Sequence, residues 1–393
     1  MQKLLEKVSK NLKFYYPKSE LEVGLYLHYP FCQAKCPYCH FNSYQYNYDR
    51  HLLWLSELKR EIELLSRYLS EHLVVKTLYF GGDTPSLIKA EEIILIQTWL
   101  REGFRVELVE ATLEIHPSFI TSRVENWLEA GLTRLSLGVQ SFDRKVLSVL
   151  KRAYYPEEVE LLVEKIRQAG CSNLNLDLII GVPGESTETM KSNLDFLNRL
   201  EPEHVSVYLL EELENGPFGR IQEKDRLSEE QLALTYERYR VELERLGWVQ
   251  YEISNFSRPG FQCLHNLKYW EYQPFLGLGP AAASHLSHYR WQNPLHPASW
   301  LDLWKRAGQS GGEFLELKPL DCLKERVTFG LRLRKGINWD QIRKEYPGLD
   351  FSPWEKNLQR LIELGLLVRE EQRLKIPADK ILISNSIIAD LLP

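Results

Sequence analysis

From Val23 to about Glu211 short runs rich in β-branched and aromatic residues alternate with longer amphipathic stretches, and this alternation limits the fold more than any other feature of the chain. The spacing predicts strands at Leu25–His28, Val75–Phe80, Leu108–His116, Arg134–Gln140, Leu174–Ile180 and His204–Leu210. Helical patterns fall between them at Tyr48–Leu73, Glu91–Arg101, Ser122–Glu129, Glu157–Gln168 and Glu188–Leu200, with Gly131, Gly170 and Gly184 as punctuation. Six β-then-α units imply parallel strands joined by right-handed crossovers, hence an α/β fold that forms an open or partly closed (βα)6 barrel.

In such a barrel the βα loops converge at the carboxyl ends of the strands, where chemistry collects. The unusual polar motifs of this chain all fall at such ends. A cysteine loop follows the first strand, Gly81-Gly-Asp-Thr-Pro the second, and Glu114-Ile-His-Pro ends the third. Gln140-Ser-Phe-Asp follows the fourth, and Asp177 with Gly181-Val-Pro-Gly sits at the fifth.

The cysteine loop reads Cys32, Cys36, Cys39, a C-x3-C-x2-C spacing with Tyr38 before the last thiol. Three thiolates at this spacing can hold a four-iron cube and leave one iron without a protein ligand, since a closed ferredoxin-type site takes four cysteines. Zinc ligation and free thiols stay open at this point. A structural zinc site needs a fourth ligand, and His40, the close candidate, directly follows Cys39. Half of the six cysteines lie in this one loop, a pattern of a metal site in a reducing compartment and not of a disulfide framework. Cys171, Cys263 and Cys322 stand alone and read as small core hydrophobes.

A length of 393 residues leaves room for more than the barrel. Residues 1–22 form a mixed-charge amphipathic lead, 23–295 the barrel and its extension, and 296–393 a helical C-terminal domain. A polar stretch follows Glu212 and a long helix is expected near Ser228–Leu246. The last part runs as helices followed by the hairpin-like Leu366–Ile376, a winged-helix-like order. A formal charge of −5 argues against nucleic acid as an obligate partner. Without a membrane-length apolar run or a signal-peptide core, the expectation is a cytoplasmic protein with no integral membrane segment.

Taken together, the cysteine loop, the Gly-Gly turn and the strand-end carboxylates resemble the radical S-adenosylmethionine (SAM) superfamily. The resemblance is greatest to the branch shared by oxygen-independent coproporphyrinogen oxidases and HemW-type haem chaperones, and it runs from about residue 20 to the C-terminus. It implies a [4Fe-4S] cluster on Cys32, Cys36 and Cys39, with SAM chelating the open iron and yielding a 5′-deoxyadenosyl radical on reduction. It further implies that Tyr26 and Tyr38 pack on SAM, that Gly82, Asp83 and Thr84 receive its amino end, and that Glu114 and Asp177 contact its ribose. Gln140 would meet its polar edge, and Arg152 would pair with its carboxylate. The turn departs from the family's Gly-Gly-Gly-Thr-Pro at Asp83, and Leu150-Lys-Arg-Ala-Tyr-Tyr replaces the more familiar Leu-Gly-Arg-x-His.

Within the branch, the oxidases carry a fourth cysteine two residues after the third, where this chain has Phe41. The segment His265-Asn-Leu-Lys-Tyr-Trp matches the HNxxYW motif linked to haem in the HemW-like group, and implies His265, Asn266, Tyr269 and Trp270 as haem-binding residues. On a helix, His265 and Tyr269 would share one face. The resemblance therefore implies a haem chaperone with haem as cargo, an apo-haemoprotein recipient and an electron donor such as a flavodoxin or ferredoxin. Two other expectations stand beside it: an oxygen-independent coproporphyrinogen III oxidase, and a non-catalytic, metal-stabilised binding module.

Overall fold

The computed structural model describes residues 2–15, 20–41, 43–119, 124–211, 227–305 and 313–393. The six predicted strands appear as β1 (Leu21–Tyr29), β2 (Leu73–Gly82), β3 (Arg105–Ile115), β4 (Arg134–Gln140), β5 (Leu174–Ile180) and β6 (His204–Leu209), all parallel. They pair in chain order, β1 with β2 and onward to β6. Between them run α2 (Tyr48–Leu69), α3 (Ala90–Gly103), α4 (Val124–Glu129), α5 (Arg144–Val149), α6 (Pro156–Gln168) and α7 (Thr187–Leu200), after an N-terminal α1 (Gln2–Tyr15). The expected start of α4 at Ser122 and the polar stretch after Glu212 lie outside the described residues. Alternate residues such as Leu135, Leu137 and Val139 in β4 and Leu174, Leu176, Leu178 and Ile180 in β5 are fully buried on one face of each strand, while Ser136, Gln140 and Asp177 on the other face line a cavity.

The sheet extends beyond the six predicted strands. Phe275–Leu278 lies parallel against the free side of β1, and Ala283–Leu286, Tyr289–Gln292 and Glu313–Glu316 continue outward as antiparallel strands. At the far side Asn255–Ser257 and Val249–Gln250 add antiparallel to β6. Among the described residues this makes one twelve-stranded mixed sheet with the (βα)6 array at its centre. Its last strand lies past residue 295, so the expected start of the C-terminal part falls inside the span of this sheet.

After β6 come α8 (Glu229–Arg245), α9 (Leu264–Trp270) and α10 (Pro297–Lys305), and the C-terminal residues hold α11 (Pro319–Gly330), α12 (Trp339–Glu345), α13 (Ser352–Glu363) and α14 (Ser384–Leu391). A small sheet places Arg373–Lys375 between Ile337–Asn338 and Val368–Glu370. Buried Trp339 and Trp354 meet at 5.8 Å between ring centroids and pin α12 to α13. This is the winged-helix-like order of helices and hairpin that the sequence predicts.

Candidate cofactor site

Beyond Tyr29 the backbone of Phe31–Cys32 pairs with Tyr44–Gln45, so that Cys32 ends the first short strand and Cys36 and Cys39 lie in the loop that follows it. The amide of Cys39 donates to the carbonyl of Cys36 at 3.2 Å, and that of Tyr46 to Cys32 at 2.7 Å, which fixes both ends of the loop. Thr84 Oγ1 lies 3.0 Å from Cys32 Sγ, and Ser43 Oγ 3.8 Å from Cys39 Sγ. Burial pushes the Cys32 thiol up to about 12 and raises that of Cys39, so without a cation beside them both stay protonated at neutral pH. A coordinating metal reverses this preference outright. Among the described residues no three His, Cys, Asp or Glu side chains converge as the ligands of a single ion do. A cube takes each thiolate on a separate iron and needs no such convergence.

The three cysteines open onto a cavity of about 650 Å³ at the carboxyl ends of the strands. Tyr38, Asp83, Thr84, Glu114, Gln140, Arg152 and Asp177 line it, so seven of the nine residues expected around SAM meet there. Tyr26 and Gly82 stand behind the wall. Tyr26 stacks on Tyr79 at 6.0 Å, and the Gly82 amide donates to Glu114 Oε2 at 3.1 Å. His116, Ser136 and Lys151 also line the cavity without having been expected there, although each lies within two residues of one that was or on the same strand.

Backbone detail aims several of these groups. A register shift between Leu137 and Gln140 in the pairing of β4 with β5 ends with Gln140 at φ 67°, turning its amide towards the cavity. Gly82 has φ +114°, and a Cβ there would stand 2.6 Å from the Tyr29 carbonyl oxygen, so the turn needs glycine at this position. Asp83 keeps φ outside the left-handed region, which is why a side chain is tolerated where the family turn has its third glycine. Glu114 accepts from the Tyr79 hydroxyl at 2.9 Å, and Asp177 from Asn175 at 2.8 Å and Ser136 at 3.2 Å. Burial pushes the Glu114 carboxyl up to about 7 and also raises that of Asp177.

The donor set suits a zwitterion. Nε and Nη1 of Arg152 are buried with no hydrogen-bond partner among the described residues, and so is Oδ2 of Asp83. An unmatched cation and an unmatched acid oxygen on one cavity fit the carboxylate and ammonium of an amino-acid ligand, because each group is costly to leave unsatisfied.

The HNxxYW segment forms α9 (Leu264–Trp270), and the structure brings none of its four expected residues to this cavity. His265 is 1% exposed. One ring nitrogen, Nδ1, lies 2.8 Å from Thr77 Oγ1, and the other, Nε2, lies 2.8 Å from the Tyr269 hydroxyl. The predicted i, i+4 pairing is therefore present, but it faces inward, and neither nitrogen is offered to an outside iron in this arrangement. Burial lowers the ring to about 3, so it is neutral. Glu110 accepts from the amides of Leu264 and His265 at 3.0 and 2.9 Å and holds the start of α9 in the barrel. His265 also stacks on Tyr79 at 5.2 Å, the tyrosine that donates to Glu114. Asn266 is half-buried, and Trp270 lies under the Arg332 guanidinium at 5.6 Å.

Comparison with known proteins agrees with this geometry. The radical SAM superfamily model matches residues 26–197, and the HemN C-terminal domain model matches residues 317–378. The chain is 33% identical over 330 residues to heme chaperone HemW of Mycobacterium tuberculosis, covering 80% of this chain and 82% of that protein. It is 31% identical over 361 residues to heme chaperone HemW of Synechocystis, covering 88% and 85%. In fold it resembles the coproporphyrinogen III oxidase HemN from Escherichia coli with a TM-score of 0.85, over 100% of this chain and 93% of that one at 23% identity. The chain belongs to the radical SAM superfamily, in the branch that includes the proteins named heme chaperone HemW.

Proposed function

We propose that the protein is a haem chaperone that carries a [4Fe-4S] cluster on Cys32, Cys36 and Cys39, binds SAM in the adjoining cavity, and delivers haem to an apo-haemoprotein. The observation that carries this reading is the similarity to proteins named heme chaperone HemW over four fifths or more of both chains. Phe41, at the place where the oxidases of the branch have a further cysteine, supports the same side. When bound, the cluster and SAM supply one-electron reductive chemistry, and the protein supplies orientation and a shielded cavity.

In that cavity Arg152 takes the carboxylate of SAM in the bidentate manner a guanidinium allows, and Asp83 and Thr84 face its amino end. Tyr38 and the Gln140 amide frame the ligand, while Glu114 and Asp177 serve its ribose hydroxyls. Gly82 gives the turn its shape, and Tyr26 supports the floor from behind. Haem is the cargo, and its iron is assigned to no residue of the His265 segment. The electron donor is a low-potential protein of the flavodoxin or ferredoxin class, and the compartment is the cytoplasm. No helix among the described residues is long and apolar enough to cross a membrane.

Anaerobic reconstitution tests the reading. The expected outcome is about four irons and four sulfides per chain, stoichiometric haem uptake, and no conversion of coproporphyrinogen with SAM and reductant present. Formation of protoporphyrinogen would assign the chain to the oxidases instead, and zinc without sulfide would make it a metal-stabilised binding module.

A further inference from the structure

The hydroxyl of Ser43 has three acceptors within reach and one hydrogen to give. Asp83 Oδ1 lies 2.8 Å away, the Phe41 carbonyl 3.4 Å, and Cys39 Sγ 3.8 Å. The nearest acceptor is a carboxylate, and hydrogen bonds to ionised acceptors are the strongest of their kind. Ser43 therefore gives its hydrogen to Asp83, and Cys39 receives none from it. At the other end of the triad Thr84 Oγ1 stands 3.0 Å from Cys32 Sγ, meets no competing carboxylate among the described residues, and can donate to a thiolate there. Asp83 lines the same cavity as the three cysteines, and its second oxygen is buried with no hydrogen-bond partner among the described residues.

We infer that Asp83 is a positioning residue that holds the reduction potential of the cluster low, by placing a carboxylate on the cavity that the three thiolates share and by keeping the Ser43 hydroxyl turned away from Cys39. This rests on the cluster assignment above and goes beyond it. The potential of an iron–sulfur site follows net charge and hydrogen bonds to its sulfurs, and surrounding groups tune a metal through its ligands. Reduction adds one electron from an external low-potential donor, taking [4Fe-4S]2+ to [4Fe-4S]+ with no bond made or broken. A carboxylate nearby opposes that added charge, and a donor withheld from Cys39 fails to offset it. Both effects act in the same direction, towards a more strongly reducing cluster.

The test is a potentiometric titration, followed by paramagnetic resonance, of the anaerobically reconstituted full-length protein and four variants, each checked for iron and sulfide content. Asp83→Asn removes the charge while its amide oxygen still accepts from Ser43, and is expected to raise the midpoint potential. Asp83→Gly also frees the Ser43 hydrogen for Cys39, and is expected to raise it further. Ser43→Ala leaves the wild-type value, because that hydroxyl gives Cys39 nothing to lose. Combining Ser43→Ala with Asp83→Gly brings the potential back to that of Asp83→Asn. Asp83 variants that load the cluster and titrate with the wild type overturn the inference, as does a Ser43→Ala shift equal to that of Asp83→Gly. A wild-type protein that binds no cluster overturns the proposed function itself, a result the iron and sulfide analysis separates from the other two.

Discussion

The guanidinium of Arg152 lies over the ring of Tyr38, 5.6 Å from its centroid, and donates to the hydroxyl of the same residue. One nitrogen of the fork is thereby fixed, and Nε and Nη1 remain buried at the cavity wall with no partner among the described residues. Arg152→Ala should weaken SAM binding by roughly 10- to 100-fold, the span of one charge-assisted hydrogen bond or a pair. Arg152→Lys should not rescue it, since an ammonium cannot reproduce a planar two-point contact. Equilibrium dialysis with cluster-loaded protein measures both.

His265→Ala should act first on the fold. Its ring satisfies Thr77 and Tyr269 in the barrel interior, and removing it leaves two buried hydroxyls short of a partner at about 1–3 kcal/mol each. Chemical denaturation is expected to show a lower midpoint. A variant with the wild-type midpoint and a lost haem Soret band would mean instead that His265 leaves the core to ligate iron.

Glu252 gives the chain a pH signature. It is 1% exposed, its Oε1 has no hydrogen-bond partner among the described residues, and burial pushes its carboxyl up to about 7. Between the ordinary value of 4.5 and about 7 the folded chain holds a proton that the unfolded chain has lost, so this residue's contribution to stability falls as pH rises through that window. Glu252→Gln cannot titrate. Relative to wild type it should gain, on the order of a few kcal/mol at most, between pH ~5 and pH ~8. Paired melting curves at the two pH values check the sign.

Gly82→Ala tests the turn after β2. The new Cβ would meet the Tyr29 carbonyl oxygen at 2.6 Å and the His28 ring at 3.0 Å, in a backbone conformation that disfavours side chains. A loss of about 1–3 kcal/mol is expected. Because the Gly82 amide donates to Glu114, SAM affinity should fall as well. Asp83→Gly, one residue on, should cost far less stability.

The central array was legible because long, apolar strands bounded by glycines leave little choice. Predicted Arg134–Gln140 and Leu174–Ile180 coincide with β4 and β5. The first strand is longer than its apolar run, since pairing continues to Tyr29 opposite Gly82. The outer strands were not legible. Phe275–Leu278 and its antiparallel neighbours are four residues each, too short to show a period, and only their distant partners make them strands. The six-residue α5 escaped for the same reason. At the site, the spacing of Cys32, Cys36 and Cys39 and the strand-end rule located the cavity. The direction in which α9 faces was hidden, because helical spacing shows that His265 and Tyr269 share a side without showing whether that side meets solvent or the barrel.

The stack from His265 through Tyr79 to Glu114 ties the chain's two diagnostic signatures to one pillar. Editing either end disturbs the other, so a substitution at His265 reaches the Glu114 side of the cavity as well as the start of α9. A lesion aimed at the cavity alone belongs at Arg152, outside this stack.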